Sequence, residues 1–529
     1  MDNKKKKIIT IAFIIIIVLQ LINKVYTGVK KEDLFIDEFY SYGLMNYKNP
    51  FIFQNDDFKN TWHDNEYFKE YLTIEKDELF NFAPVYNNQV NDVHPPFYYL
   101  LLRIISSFWI GTFSKWPGLI LNFIIYIFAA IVLYKIADKI FKNKWYALLT
   151  VFLYGFSIFS TENTLYIRMY QLLELNILLV TYWHIKNYDK KELEYKDLIT
   201  LTLLAVTGFL THYYYILFLI GLYLVYLVKY IKNKNWKTLF KYTLFLLIAG
   251  VLILIIFPKC LEHLFLGYRG SNSIFSLTST SLKYLSQKIR YYWNLINTSI
   301  FHFGILMFIV FAVVVKIIDI IIKLIRRKKI ELNKNNLLWL ITIPVAVYLA
   351  IVIKSSPFVD VRYILVVLVY ILLIIVYILK DALELIIKNK KAVLIILCIV
   401  LTIATIPTFI YQNGLPYMYY GTKEILEDLR ENYGDLPCIY IYTDATEMYN
   451  TFTYNYNFLL QSEQIYITTS IDYEKIRTIL EQVDTSKGIL LYETPINFWN
   501  TFDIFRFAGF NSYEIICDAY VEMTVYYIY

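Results

Sequence analysis

Of 529 residues, 58% are hydrophobic and 18% charged, and 51 Lys and Arg against 44 Asp and Glu leave a net charge of +7. So much apolar surface with so few charges excludes an ordinary soluble domain. The lysines are spread between apolar runs instead of forming one basic face, which argues against a nucleic-acid partner.

Apolar stretches of about 15–22 residues recur along the chain, near the length that crosses a bilayer as a helix. Helices satisfy their own backbone groups in lipid, so the expected fold is an α-helical multi-pass membrane protein. The chain opens on "MDNKKKKIITIAFIIIIVLQLI", a lysine cluster followed by an apolar run with no small-residue cleavage site after it. This predicts an uncleaved first transmembrane helix near 8–26, with the N-terminus cytoplasmic by the positive-inside rule.

Residues 27–93 form a polar first outer loop with 13 Asp and Glu against 6 Lys and Arg. Residues 94–112, beginning "HPPFYYLLLRIISSFWIG", are apolar enough to span. Spanning would put the basic "YKIADKIFKNK" (134–144) outside, so the charge rule predicts a helix lying in the outer interface. Further spans are expected near 117–137, 145–160, 165–184, 198–211, 213–229, 240–258, 301–323, 336–353, 361–379 and 391–411. This gives about eleven transmembrane helices in a 1–411 catalytic domain. The connections near 135–144, 186–197, 229–241, 323–335 and 380–391 are rich in Lys and Arg, as cytoplasmic loops are, and 259–299 reads as a longer outer loop.

The tail, 412–529, carries 17 Asp and Glu against 6 Lys and Arg. "TKEILEDLRENY" and "DYEKIRTILEQV" have helical period, and "CIYIYT", "QIYIT", "GILLYE", "YEIICDAYV" and "EMTVYYIY" read as strands. A small extracytoplasmic α/β domain is expected there, without a Gly-rich phosphate loop. Removing the two acidic segments (net −7 and −11) from the total leaves +25 on the rest, charge suited to anionic lipid. The four cysteines make no metal pattern. Cys438 and Cys517 share the tail domain, as a disulfide or as two thiols.

On this topology several polar residues collect on the outer side. They are Asp37 and Glu38 in "LFIDEFYSYG", His94 and Tyr98 in "HPPFYY", and Glu162, Arg168 and Tyr170 in "STENTLYIRMYQLL". His212 and Tyr213 follow in "LTHYYY", and Asp360, Arg362 and Tyr363 in "FVDVRYIL". Taken singly, each arginine reads equally as a residue snorkelling to headgroups and each histidine as an interfacial side chain. As a set, ionisable residues at the mouths of membrane helices mark a substrate path. Carboxylates, arginines and histidines on one side suit a phosphorylated, lipid-borne substrate and an acid–base step. A carboxylate accepts the proton of an attacking hydroxyl, and Arg stabilises a leaving phosphate.

"DEFYSYG", "HPPFYYLLL", "IRMYQLL", "LTHYYYILFLI" and "RYILVVLVYILL", in this order and spacing, resemble bacterial relatives of the dolichyl-phosphate-mannose protein mannosyltransferases. These belong to the GT-C class of membrane glycosyltransferases, as do the aminoarabinose lipid A transferases. The likeness covers about residues 8–380. It implies a polyprenyl-phosphate sugar as donor, transfer on the outer face, and an acceptor that is a protein, lipid or wall polymer. By this resemblance Asp37 matches the acidic residue used as catalytic base and Glu38 is its neighbour. His94 falls where relatives place a His or Lys near the donor phosphate. Arg168 matches the Arg of "RMY", and Arg362, beside Tyr363, matches an Arg implicated in binding the lipid phosphate. Tyr98, Glu162, Tyr170, His212 and Tyr213 are assigned to the substrate pocket. One departure stands out: "LYIRMY" has Tyr166 and Ile167 where an acidic residue or Gln is usual. No cofactor is expected, and no pattern indicates a metal.

Two other classes use the same features. A transporter or flippase of lipid-linked sugars would bind phosphate with the same cations, although the chain shows no internal repeat and little Gly or Pro within its spans. A non-catalytic cell-envelope scaffold would rely on the tail alone.

Overall fold

A computed structural model describes residues 3–46, 59–328, 335–356, 359–410, 415–441, 455–519 and 523–529. Part of the segment expected as the first outer loop, residues 329–334 of the 323–335 connection, and the ends of the expected strands "CIYIYT" and "YEIICDAYV" lie outside the described residues. The chain forms two compact units. One holds Met1–Gly28, Asp92–Tyr98 and Gly118–Pro416. The other holds Val29–Asn91, Tyr99–Pro117 and Tyr417–Tyr529.

The chain opens with α1 (Asn3–Val29), then α2 (Ile36–Asn46), β1 (Trp62–Asp64), α3 (Asn65–Lys69), α4 (Ala83–Asn91) and α5 (Phe97–Ser106). A helical series follows: α6 (Trp116–Phe141), α7 (Lys144–Gly155), α8 (Ile158–Leu165), α9 (Tyr170–Asn187), α10 (Tyr195–Thr211), α11 (Tyr215–Lys232) and α12 (Trp236–Ile256). Next come α13 (Cys260–Phe265), α14 (Tyr268–Ser279), α15 (Leu282–Ile300), α16 (Leu306–Ile325), α17 (Trp339–Ser355), α18 (Leu365–Ile386) and α19 (Lys390–Ile410). The tail runs α20 (Thr422–Tyr433), β2 (Pro437–Ile441), α21 (Tyr456–Leu459), β3 (Gln464–Thr468), α22 (Tyr473–Leu480), β4 (Ile489–Glu493), α23 (Phe498–Phe507), β5 (Tyr513–Asp518) and β6 (Thr524–Ile528).

Among the described residues, seven helices are long and apolar enough to cross a membrane: Asn3–Val29, Trp116–Phe141, Tyr215–Lys232, Trp236–Ile256, Asn336–Ser355, Leu365–Ile386 and Lys390–Pro407. The other expected spans are helical but differ in kind. α7 has 12 residues and α10 has 17. α9 carries Glu174 and Lys186, and α16 carries Lys316, Asp319 and Lys323. α5 has ten residues, about 15 Å of helix, half of what the hydrocarbon core requires.

In the first unit α18 is buried on nearly every side, from Leu365 to Ala382. It packs against α7, α8, α9, α15, α16, α17 and α19, as a helix apolar all round must. α12 and α16 instead expose Leu247, Val251 and Ile255, and Val313, Ile317 and Ile321. Such faces are untenable in water and ordinary against lipid chains. α11 meets α17 at Gly221, where a Cβ would sit 2.4 Å from Pro344 Cα, so only glycine permits this backbone approach.

The segment expected as a long outer loop, 259–299, is helical through α13, α14 and α15. Lys288 of α15 reaches back to donate to the Ser356 carbonyl (2.7 Å), and Tyr292 bonds the Ser356 hydroxyl (3.0 Å).

The second unit is built on a six-stranded sheet of order β1-β3-β2-β4-β6-β5. β2 pairs parallel with β3 and β4, and the outer pairings are antiparallel. Strands alternate faces. One face presents Ile439, Leu491, Tyr526 and Ile528 to Ile476 and Ile479 of α22 and to Phe498, Phe502 and Phe505 of α23. On the other face, Tyr492 donates to the Phe458 carbonyl of α21 (3.4 Å). The edge strand β1 comes from the segment between α1 and α5, with Trp62 opposite Tyr466 and Asp64 opposite Gln464. Cys438 on β2 and Cys517 on β5 are three strands apart, about 14 Å at strand spacing, beyond disulfide reach. Both are free thiols.

Candidate functional site

Ten of the singled-out residues fall in the first unit, and most of them meet. The two prolines after His94 hold the backbone extended where the chain turns into α5. The Asp92 carboxylate accepts from both the His94 backbone N–H (3.2 Å) and its Nδ1 (2.7 Å). Burial alone would raise the Asp92 carboxyl, but the charge and hydrogen bond of His94, with the charge of Arg168, hold it below the usual carboxylate range. Asp92 was not anticipated, although a carboxylate two residues before a histidine is a readable signal.

Arg168 was expected just inside a helix. It lies instead in a break between α8 and α9, where Tyr166 is extended (φ −83°, ψ 109°). The cause is Asn122 of α6. Its Nδ2 takes the carbonyls of Thr164 (3.1 Å) and Tyr166 (2.8 Å), ending α8, while its Oδ1 accepts from the Tyr98 hydroxyl (3.3 Å). Tyr98 is thus fully buried and pins the turn that presents Arg168.

Arg362 stands in a single 3₁₀ turn before α18, with Asp360 as the residue before the turn. Its Nε is 3.3 Å from the Asp360 carboxylate, and Nη1 donates to the Tyr166 hydroxyl at 3.4 Å. From there a run of rings links the predicted residues. Tyr166 stacks on Tyr170 (centroids 5.8 Å), Tyr170 meets His212 at a tilt (5.6 Å), and His212 lies 6.4 Å from His94. Tyr166, the departure from the family pattern, is therefore the link between Arg362 and the histidines.

His212 Nδ1 accepts from the Tyr214 backbone N–H (3.0 Å), leaving the proton of the neutral ring on Nε2. Burial first, then the charges of His94 and Arg168, push His212 down to about 3, so it is a neutral hydrogen-bond donor at physiological pH. Glu162 moves the other way, up to about 8, through burial and then the charge of Asp360, and so carries a proton. Tyr363 packs on Tyr214 (5.9 Å) and its carbonyl accepts from Tyr348 (2.9 Å). Tyr213 turns aside to bond His263 Nδ1 (2.8 Å). The cluster thus holds Arg168, Arg362, a His–Asp pair, a neutral histidine and a neutral carboxyl, walled by tyrosines. Such a group can bind an oxyanion through guanidinium forks.

A buried polar network in the same unit was not anticipated at all. Lys24 of α1 donates to the Ser160 hydroxyl (3.1 Å), and Glu174 of α9 accepts from Asn163 (3.0 Å) and from the Tyr154 hydroxyl.

Asp37 and Glu38 open α2, in the second unit. Glu38 is fully buried. It accepts from the Phe35 backbone N–H (2.7 Å) and pairs with Lys31 at 2.8 Å, itself buried. Asp37 is half-buried. Gly43 of the same helix lies against the Tyr71 ring, which a Cβ would strike at 1.9 Å. Removing one member of a buried ion pair leaves an uncompensated charge. Lys31→Met is therefore expected to destabilise the fold by about 3–5 kcal/mol, with most of it recovered in the double variant Lys31→Met/Glu38→Leu. Thermal unfolding of the full chain in detergent measures both, and an unshifted single variant would refute the pairing.

Next to them, burial pushes Asp33 up to about 7 against the bonds it accepts from Leu34 N–H (2.6 Å) and Asn457 (2.9 Å). An acid whose pKa rises on folding takes up a proton on folding. Its ionisation therefore lowers stability as pH climbs from about 4 to 7, and the effect is complete above 7. Asp33→Asn should flatten that slope in unfolding measured across the window.

Among the described residues no three of His, Cys, Asp and Glu are grouped as metal ligands.

The chain thus combines apolar helices long enough to cross a membrane, a cluster suited to a phosphate, and a small α/β sheet unit. Residues 93–261, about a third of the chain, match the family described as Dolichyl-phosphate-mannose-protein mannosyltransferase. The segment contains His94, Tyr98, Glu162, Arg168, Tyr170, His212 and Tyr213.

Among solved structures, the chain is similar to ArnT from Cupriavidus metallidurans bound to undecaprenyl phosphate. The identity is 10%, with 97% of each chain covered and a TM-score of 0.48. It is also similar to the apo state of that protein (9%, 97% of each chain, TM-score 0.43). The apo oligosaccharyltransferase of Archaeoglobus fulgidus matches at 11% identity over 90% of this chain and 69% of that one, with TM-score 0.41. No curated protein matches the chain.

Proposed function

We propose that the protein moves a sugar, of the mannosyl or related hexosyl type, from a polyprenyl-phosphate carrier to an acceptor hydroxyl on the outer face of the membrane. The observation that carries this is the cluster of Arg168, Arg362, His94 and neutral His212 within and beside the family-matched segment. Asp37 accepts the acceptor proton as the hydroxyl oxygen attacks the anomeric carbon. The bond from that carbon to the phosphate oxygen breaks, and its electron pair leaves with polyprenyl phosphate, whose charge the arginines and His212 stabilise. A single displacement with one base inverts the anomeric carbon. Glu38, held by Lys31, braces the helix that carries Asp37. The arginines supply the charge neutralisation, so the reading calls for no metal.

Lysine-rich connections support a cytoplasmic N-terminus and a C-terminal unit outside. Purified protein given labelled polyprenyl-phosphate sugars should release polyprenyl phosphate in the presence of an acceptor extract from the cell envelope. Movement of intact donor across vesicles without consumption would establish a transporter instead.

A further inference from the structure

At the ends of α9, α10 and α11 away from this cluster lies a cavity of about 1220 Å³, above the usual size of small-molecule sites. Among the described residues five lysines line it, Lys190, Lys191, Lys229, Lys232 and Lys234, against a single acid, Asp189. Two of the five are engaged. Lys190 pairs with Asp197 at 2.7 Å. Lys229 donates to the Tyr188 carbonyl and lies over the rings of Tyr188, Tyr226 and Tyr230 at 4.8–4.9 Å. Lys191, Lys232 and Lys234 are exposed, and among the described residues none has a carboxylate at ion-pair distance. The other wall is apolar: Leu224, Val225 and Val228 of α11 and Ile343 of α17, with Trp339 at the rim.

We propose that this cavity binds an anionic glycerophospholipid. The charge excess selects a phosphate. The apolar wall belongs to two spanning helices and runs along the direction an acyl chain takes, and Trp339 with Tyr188 and Tyr230 marks headgroup depth. Free phosphate would need only the lysines. The continuous apolar wall fits a lipid-borne phosphate, and a basic pocket between helix ends is the form such sites take. On the orientation proposed above, the lipid comes from the inner leaflet. The site is independent of the transfer chemistry.

The test is native mass spectrometry of the full chain released from nanodiscs of mixed phosphatidylglycerol and phosphatidylcholine. Wild type should retain phosphatidylglycerol selectively. Lys191→Gln/Lys232→Gln/Lys234→Gln should retain it at least about tenfold less, since each lysine adds several-fold to attraction for an anionic surface. The corresponding triple Arg variant should restore retention. Melting of the Gln variant in pure phosphatidylcholine should equal wild type, separating loss of the site from loss of fold. Equal retention of the two lipids, unchanged retention in the Gln variant, or complete displacement by millimolar inorganic phosphate would overturn the proposal.

Discussion

Asp37→Asn should reduce sugar transfer by about 10²–10⁴-fold, the usual contribution of a general base, while expression and melting stay close to wild type. Asn preserves the shape of the side chain at the start of α2 and removes only its capacity to take a proton. The buried brace beneath it, Glu38 with Lys31 at 2.8 Å, is untouched, so the helix keeps its seat. The loss should lie in kcat at saturating donor and should not be recovered by raising donor concentration. Turnover of this variant within a few-fold of wild type would remove Asp37 from the mechanism and turn attention to carboxylates of the first unit.

Arg362→Gln should lower turnover by about 10²–10³-fold, the scale for losing one donor to a developing oxyanion. Arg362→Lys should recover only part, because an ammonium keeps the charge without the planar fork. Arg362 touches Asp360 and Tyr166 through different atoms of its guanidinium. Tyr166→Phe therefore makes a sensitive companion: it should give a smaller loss than Arg362→Gln, and a double variant no worse than Arg362→Gln alone. If donor binding and turnover survive Arg362→Gln, the leaving phosphate lies elsewhere.

Much of the second unit was readable because its signals are local. "QIYIT" is β3 and "TKEILEDLRENY" is α20, residue for residue, since alternation and helical period are written within a few neighbours. Strand β1 was not readable: "WHD" carries no pattern, and only its pairing with β3 makes it a strand. The helices of 260–300 were hidden for a related reason, since Ser, Thr, Asn and Gly dominate α14 and favour turns locally. In the cluster, the residue types and their order were legible, including Arg168, Arg362, His94 and His212. The break that presents Arg168 was not, because it is imposed by Asn122, more than 40 positions away. Asp92 carries no motif of its own, and the role of Tyr166 rests on a contact with Arg362, 196 positions away.

The edge strand has a consequence for biosynthesis. Trp62 leaves the ribosome about 400 residues before Tyr466, the residue it pairs with. At about 5–20 residues per second, β1 waits roughly 20–80 s for its partner. During that interval β1 stands without its sheet, and a chain truncated before β3 can never complete it. A chain arrested before residue 464 should therefore leave the Trp62–Asp64 segment open to protease in a detergent extract, whereas the full-length product protects it.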